Sequence, residues 1–271
     1  MKNVSVTAEG RGKNCWRTLF GEEKMRIVRI MILCAAVSLA LPCVAKAYLL
    51  GTADIVHSGY GANDVIKVWG GDHSGDNVYG GVYMLDKTGG TGQGNIWPDG
   101  LLGSFCMELH ERAPDSTLKY GVVMPEDVHN SFLGSALGTT KANYLRELWG
   151  RFFDPLWVSG PYDSKQNGNA EAFAAAVWEI IFEDLPTSPL GWDVSVDGTL
   201  CERGFRAEDV DITTANKWLH ALTGYGPKAD LRAFVYQGKQ DFLVEVPEPV
   251  TIALFGIGGA LSLLRRRRTS M

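Results

Sequence analysis

Apolar positions along the chain change period several times, and the changes divide it. Ile30 to Val44 is almost wholly apolar and follows Arg26 and Arg29. Between residues 48 and 110, short β-prone runs (Asp64 to Trp69, Asn77 to Leu85, Gly103 to His110) are separated by the glycine-rich stretches Gly70 to Asp76 and Gly89 to Gly94, which are turn and loop signals. This half predicts antiparallel β structure. Between residues 139 and 224 the period lengthens. Tyr144, Leu145, Leu148, Trp149 and Phe152 recur at helical spacing after Thr139 and Thr140. Phe173, Val177, Ile180 and Ile181 do so after Asn169 as cap, and Trp218, Leu219 and Leu222 do so before Gly224. Three helices are predicted there, followed by a β pair over 231–236 and 241–246. A second apolar run, Val250 to Leu264, precedes Arg265, Arg266, Arg267 and Arg268. The expected fold class is α+β: an antiparallel β-rich first half, a three-helix segment and a final β pair, forming one domain over residues 48–245.

The ends read as addresses. Arginines, an apolar run and the small residues of Ala45-Lys46-Ala47 have the order of a secretory signal peptide, residues 1–47, with Met25 as an alternative start. Pro42 stands where a lipoprotein signal before Cys43 needs a small residue. At the other end, 15 apolar residues rise about 22 Å as a helix, short of the roughly 30 Å hydrocarbon core, and make a marginal span. Four arginines after it should stay cytoplasmic and leave the body outside. Val246, Pro247, Glu248 and Pro249 precede this helix. The order Pro-Glu-Pro, short apolar helix, arginine cluster over residues 246–271 resembles the PEP-CTERM sorting signal of bacterial exopolysaccharide producers. That resemblance implies recognition by a membrane exosortase after signal peptidase has acted, transient anchoring in the inner membrane through the C-terminal helix, and delivery to the cell surface or extracellular matrix.

Charge sharpens this picture. Residues 48–246 hold 27 acidic and 14 basic residues, a formal net charge of −13, whereas the whole chain carries −5. An acidic exported body excludes nucleic acid as a partner, since that needs a positive footprint. Of five cysteines only Cys106 and Cys201 lie in the body. In an oxidising compartment they form a candidate disulfide, subject to their distance in the fold.

In Ser104-Phe105-Cys106-Met107-Glu108-Leu109-His110, alternation assigns Phe105, Met107 and Leu109 to one face and Cys106, Glu108 and His110 to the other. Downstream, the run from Ala170 to Asp184 is a strong helix with small residues around Phe173 and Val177. An aromatic-Cys-apolar-acid strand followed by such a helix ending in Trp178-Glu179 is similar to the bacterial Cys-Gln thioester domains, over approximately Val78 to Val246. In those surface adhesins a strand cysteine and a glutamine form an internal thioester that acylates nucleophiles on a target. The resemblance gives Cys106 the cysteine's place and puts Ala174 where the helix glutamine is sought. Ala174 has no carboxamide, so the expectation is a degenerate domain without the bond. A plain buried cysteine and a plain core helix compete with this reading.

Other chemistry is thinly marked. Cys106 and His110 on a regular strand would stand about 13 Å apart, too far for a nucleophile and its base. His57, His73, His129 and His220 carry no motif. Metal and hydrolase signatures are absent from the sequence, so no metal, cofactor or catalytic residue is expected. Asp72, Asp76 and Asn77 suggest a solvated turn rather than a calcium loop. Seven tryptophans follow Ala47, and Trp149, Trp178 and Trp218 fall on periodic helices as core or half-buried residues. The expected role is structural or adhesive, with exopolysaccharide or a surface ligand as partner. The alternative is a carbohydrate-binding protein or hydrolase acting on matrix polysaccharide, which would need paired carboxylates in a cleft.

One processing outcome follows. Mature protein from a host with an exosortase should begin after Ala47 and lack peptides containing Leu263 and Arg265, and neutralising Arg265 to Arg268 should impair retention before sorting. Persistence of those peptides in the mature protein, read by mass spectrometry, would refute the sorting assignment.

Overall fold

The computed structural model describes residues 48–130, 134–196 and 204–247. The predicted signal peptide over 1–47, Glu248 and Pro249 of the sorting motif, the arginine cluster and Cys201 lie outside the described residues. The body is α+β. Strand β1 (Gly51–Gly70) and strand β2 (His73–Gly92) form one long hairpin, with Gly71 and Asp72 at positive φ (56° and 73°) in its two-residue turn. The strands are longer than the hydrophobic runs predict because they continue through residues 89–92. Glycine there weakens the sequence signal without breaking the ladder, since β2 is paired with β1 as far as Gly51↔Gly92. Register shifts at Asp54/Ile55, His57/Gly59, Tyr60/Asn63 and Val68/Trp69 bend the hairpin.

Strands β3 (Gly100–Cys106), β4 (Leu118–Val123), β8 (Leu231–Tyr236) and β9 (Lys239–Glu245) complete an antiparallel order β2-β3-β9-β8-β4-β1, and β1 pairs back onto β2. Six strands therefore close into a small barrel, which leaves no long free edge along the ring. Strand β7 (Arg206–Glu208) extends the sheet beside Lys67 to Trp69 of β1, and β5 (His129–Asn130) pairs with β6 (Ser135–Ala136) separately.

Helices α1 (Thr139–Phe152), α2 (Leu156–Ser159), α3 (Ser164–Phe182) and α4 (Ile212–His220) cover one side of the barrel. Three are the predicted helices, and α2 is one additional turn. Helix α3 starts earlier than Asn169 suggests. Asp163 is its N-cap, its carboxylate accepting from the Gln166 amide at 2.8 Å while Gln166 Oε1 accepts from the Asp163 amide at 3.1 Å. Gln166 is thus in the first helical turn. Every residue from Ala170 to Phe182 is buried, because α3 runs between the barrel wall, α1 and α4. The five alanines among them, Ala170, Ala172, Ala174, Ala175 and Ala176, permit that close approach.

Phe105 is the hub between layers. Its ring meets Phe173 at 4.7 Å, Trp149 at 5.5 Å and Trp157 at 6.4 Å. One turn along α3, buried Trp178 donates from Nε1 to the carbonyl of Cys106 at 3.0 Å and packs on Phe205. Removing this side chain leaves a cavity and an unmet carbonyl. Trp178→Ala should therefore cost about 3–5 kcal/mol, measured by chemical denaturation. A variant unfolding like the parent would make Trp178 peripheral.

Candidate functional site

Strand β3 ends at Cys106, and the chain then turns across the end of the barrel. Met107 donates its amide to the carbonyl of Asp241 at 2.9 Å. The strand alternation expected through His110 therefore stops, and residues 105 to 109 are all buried. Phe105 points to the helices and Cys106 to the inner side, where its backbone pairs with Phe242 of β9. On β9, side chains alternate, so Gln240 shares the inner face with Phe242.

That alternation brings a carboxamide to the thiol. Gln240 Nε2 lies 2.6 Å from Cys106 Sγ, with both side chains buried. The thiol donates to the Glu108 carbonyl, and Gln240 Nε2 reaches the same carbonyl at 3.4 Å. Gln240 Oε1 is buried and has no hydrogen-bond partner, an unmet acceptor that a purely structural glutamine would be expected to satisfy. Burial pushes the Cys106 thiol far above the usual cysteine range, only partly offset by the Glu108 carbonyl contact. The sulfur is held as a neutral thiol until it reacts.

Cys106 is buried and carries a free thiol among the described residues, and its candidate disulfide partner Cys201 lies outside them. Of the thioester-like positions, Trp178 meets the Cys106 strand directly, whereas Glu179 accepts from the Asp193 amide at 3.0 Å and serves the loop after α3. Ala174 is buried in α3 and supplies no polar group. The glutamine beside the thiol is Gln240 of β9. The sequence hides it because the final strand starts at Lys239, two residues before the apolar run that marks it. The available signal is a glutamine on the same strand face as Phe242 and Val244.

Outward from this seam, Glu108, Glu111, Asp127, His129 and Asp241 line a pocket of about 260 Å³ together with Tyr236. Glu108, His110 and Glu111 each bring one donor atom within 4.8 Å of the others, a grouping that a straight strand would not produce. Desolvation, reinforced by Asp241 and Glu111, pushes Glu108 up to about 9. Desolvation also raises Asp241 to about 7, opposed by the Tyr236 amide and aided by Glu111. Asp76, considered for calcium, accepts from Ser74 and His73 at 3.1 Å within the hairpin turn. Trp149, Trp157, Trp178 and Trp192 are core, and the Arg206 guanidinium lies 3.8 Å over Trp69. Val246 still belongs to the body, its amide bonded to Asp230 O at 2.8 Å, and exposed Pro247 follows. Among the described residues no helix is long and apolar enough to cross a membrane.

The pocket carboxyls make stability depend on pH. Glu108 and Asp241 hold their protons more tightly folded than unfolded, so their contribution is complete below about pH 4 and is lost as pH rises through about 7 and then about 9. The melting temperature should fall across that window, and Glu108→Gln should flatten its upper part. An unchanged slope in the variant would mean that Glu108 is ionised in the native state.

Comparison with protein-family models, curated proteins and solved structures found no match.

Proposed function

We propose that the body carries an internal thioester between Cys106 and Gln240, and that the protein is an exported, exosortase-sorted surface or matrix protein that uses this bond for covalent attachment. The observation that carries the reading is the 2.6 Å approach of the Gln240 carboxamide nitrogen to the Cys106 sulfur in a buried site. The expectation of a degenerate domain rested on Ala174. With the carboxamide supplied by β9, both reacting groups are present.

The chemistry is an acyl exchange. Cys106 Sγ attacks Gln240 Cδ, the thiol proton passes to Nε2, the C–N bond breaks and ammonia departs, leaving an S–C(O) bond. Proximity does most of the work, because two groups fixed in contact need no further translational entropy to react. Burial then shields the acyl carbon from water. A later nucleophile takes the acyl group, and Cys106 leaves as the thiol. Such a bond suits an exported protein whose sorting signal delivers it to a surface, where hydroxyls and amines are the available acceptors.

The alternative of a polysaccharide hydrolase finds its best carboxylates in the Glu108 pocket. Glu108 and Glu111 hydrogen bond to one another there, closer than the roughly 5 Å or more that an acid and a nucleophile keep across a glycosidic bond. That spacing favours the thioester reading.

Intact mass tests it. The purified body should be one ammonia lighter than its sequence, gain one methylamine at Gln240 and then expose a thiol to iodoacetamide. Cys106→Ala and Gln240→Ala should each show neither change. Full sequence mass in the wild type, with Cys106 alkylated in native protein, would refute the assignment.

A further inference from the structure

An aromatic run leads from solvent to the carboxamide. Exposed Tyr79 stacks on half-buried Tyr60 at 4.5 Å, Tyr60 meets Tyr83 edge-on at 5.1 Å, and the buried Tyr83 hydroxyl reaches Gln240. Both Tyr60 and Tyr83 also lie near enough to Cys106 that a thiolate there would raise their hydroxyls further. His57 lies against this run, its ring 4.9 Å from Tyr60 and 5.5 Å from Tyr83. The imidazole is bonded to the Gly59 backbone, while its Nε2 is buried and has no hydrogen-bond partner. A ring that donates from Nδ1 to a carbonyl carries its lone pair on Nε2. An unpaired basic nitrogen on a ring packed against Tyr83, whose hydroxyl reaches Gln240, is costly for stability alone, and it is what proton removal from an incoming group requires.

We propose that His57 is the general base for acyl transfer from Gln240, and that the acceptor it serves is a neutral hydroxyl of the kind a polysaccharide presents. This deepens the thioester reading and rests on it. The hydroxyl enters over Tyr60, its oxygen attacks the Gln240 acyl carbon, and its proton passes to His57 Nε2. The C–S bond then breaks, and the imidazolium returns the proton to the Cys106 sulfur, leaving an ester at Gln240 and a free thiol. A hydroxyl brings no charge into the buried site, whereas an ammonium would have to be desolvated and deprotonated before attack.

The test compares two acceptors on the mature body, after intact mass has shown the ammonia loss. Glycerol needs a base; hydroxylamine is a strong neutral nucleophile that does not. In His57→Gln, glycerol ester formation should slow on the order of 100-fold while hydroxylamine consumption stays within about twofold. Equal loss of both rates would make His57 structural, and loss of neither would remove it from the reaction. A second measurement needs no variant: in the wild type, glycerol transfer should not respond to added 2,6-lutidine, a hindered external base. Acceleration in proportion to lutidine would show that no internal base operates and would overturn the assignment. Absence of the ammonia loss in the wild type would instead fell the thioester reading itself, so the two failures are distinguishable.

Discussion

The barrel closes at a short seam, and the proposed chemistry depends on that seam. Strands β3 and β9 meet over only two residue pairs, Phe105↔Leu243 and Cys106↔Phe242. Around it, the amide of Met107 bonds Asp241 O, the amide of Gln240 bonds Arg112 O at 3.1 Å, and Trp178 Nε1 bonds Cys106 O. These contacts fix the backbone on both sides of the thiol and the carboxamide. Pleating then sends Phe105 to the helices and Cys106 inward. A one-residue slip would exchange the two faces: the hub of the aromatic layer would fall into the barrel and the thiol would face α3. Core packing and the approach of Gln240 to Cys106 are therefore secured by the same register.

The layer outside the seam is correspondingly rigid. Glu147 of α1, fully buried, pairs with Arg151 at 2.8 Å and accepts from the amides of Thr223 and Gly224 at 3.0 and 2.5 Å. Those hydrogen bonds hold its carboxyl below the usual range, although burial works against them. It ties the loop after α4 to α1, while Phe105, Trp149, Phe153, Trp157 and Phe173 share one aromatic cluster. Contrast Glu108 at the barrel end, where burial and like charges together raise the carboxyl. Two buried glutamates thus end in opposite protonation states because one meets three donors and the other meets carboxylates.

Much of the fold was legible in hydrophobic period. Helices α1, α3 and α4 and the closing β hairpin follow directly from spacing. Barrel closure was not legible, since it depends on pairing between residues as distant as 106 and 242, and no local pattern encodes that. The capping box at Asp163 was readable as Asp-x-x-Gln but lies ahead of the apolar period that Asn169 opens. Gln240 was concealed for a related reason: a polar residue at the start of a strand reads as the turn before it. Only when β3 and β9 are neighbours does its position acquire chemical meaning. His57 carries no sequence signal at all, because its partners Tyr60 and Tyr83 are assembled across a bulged hairpin.

Burial of the reactive pair has two consequences that pull in the same direction. A covalent link between residues 134 positions apart would restrict the unfolded chain by about 5 kcal/mol in the loop-entropy model for cross-links, and it would lock the shortest pairing in the ring. The same burial makes the Cys106 thiolate a poor leaving group, since a charge on that sulfur is heavily penalised. Acyl transfer is then slow unless a proton is delivered to sulfur as the C–S bond opens. Water reaching the acyl carbon by chance cannot arrange that delivery, whereas an acceptor whose own proton has been taken up beside the site can. In the proposed thioester, protection from hydrolysis and selectivity for a bound acceptor would therefore follow from one cause, the removal of Cys106 from solvent at a seam only two residue pairs long.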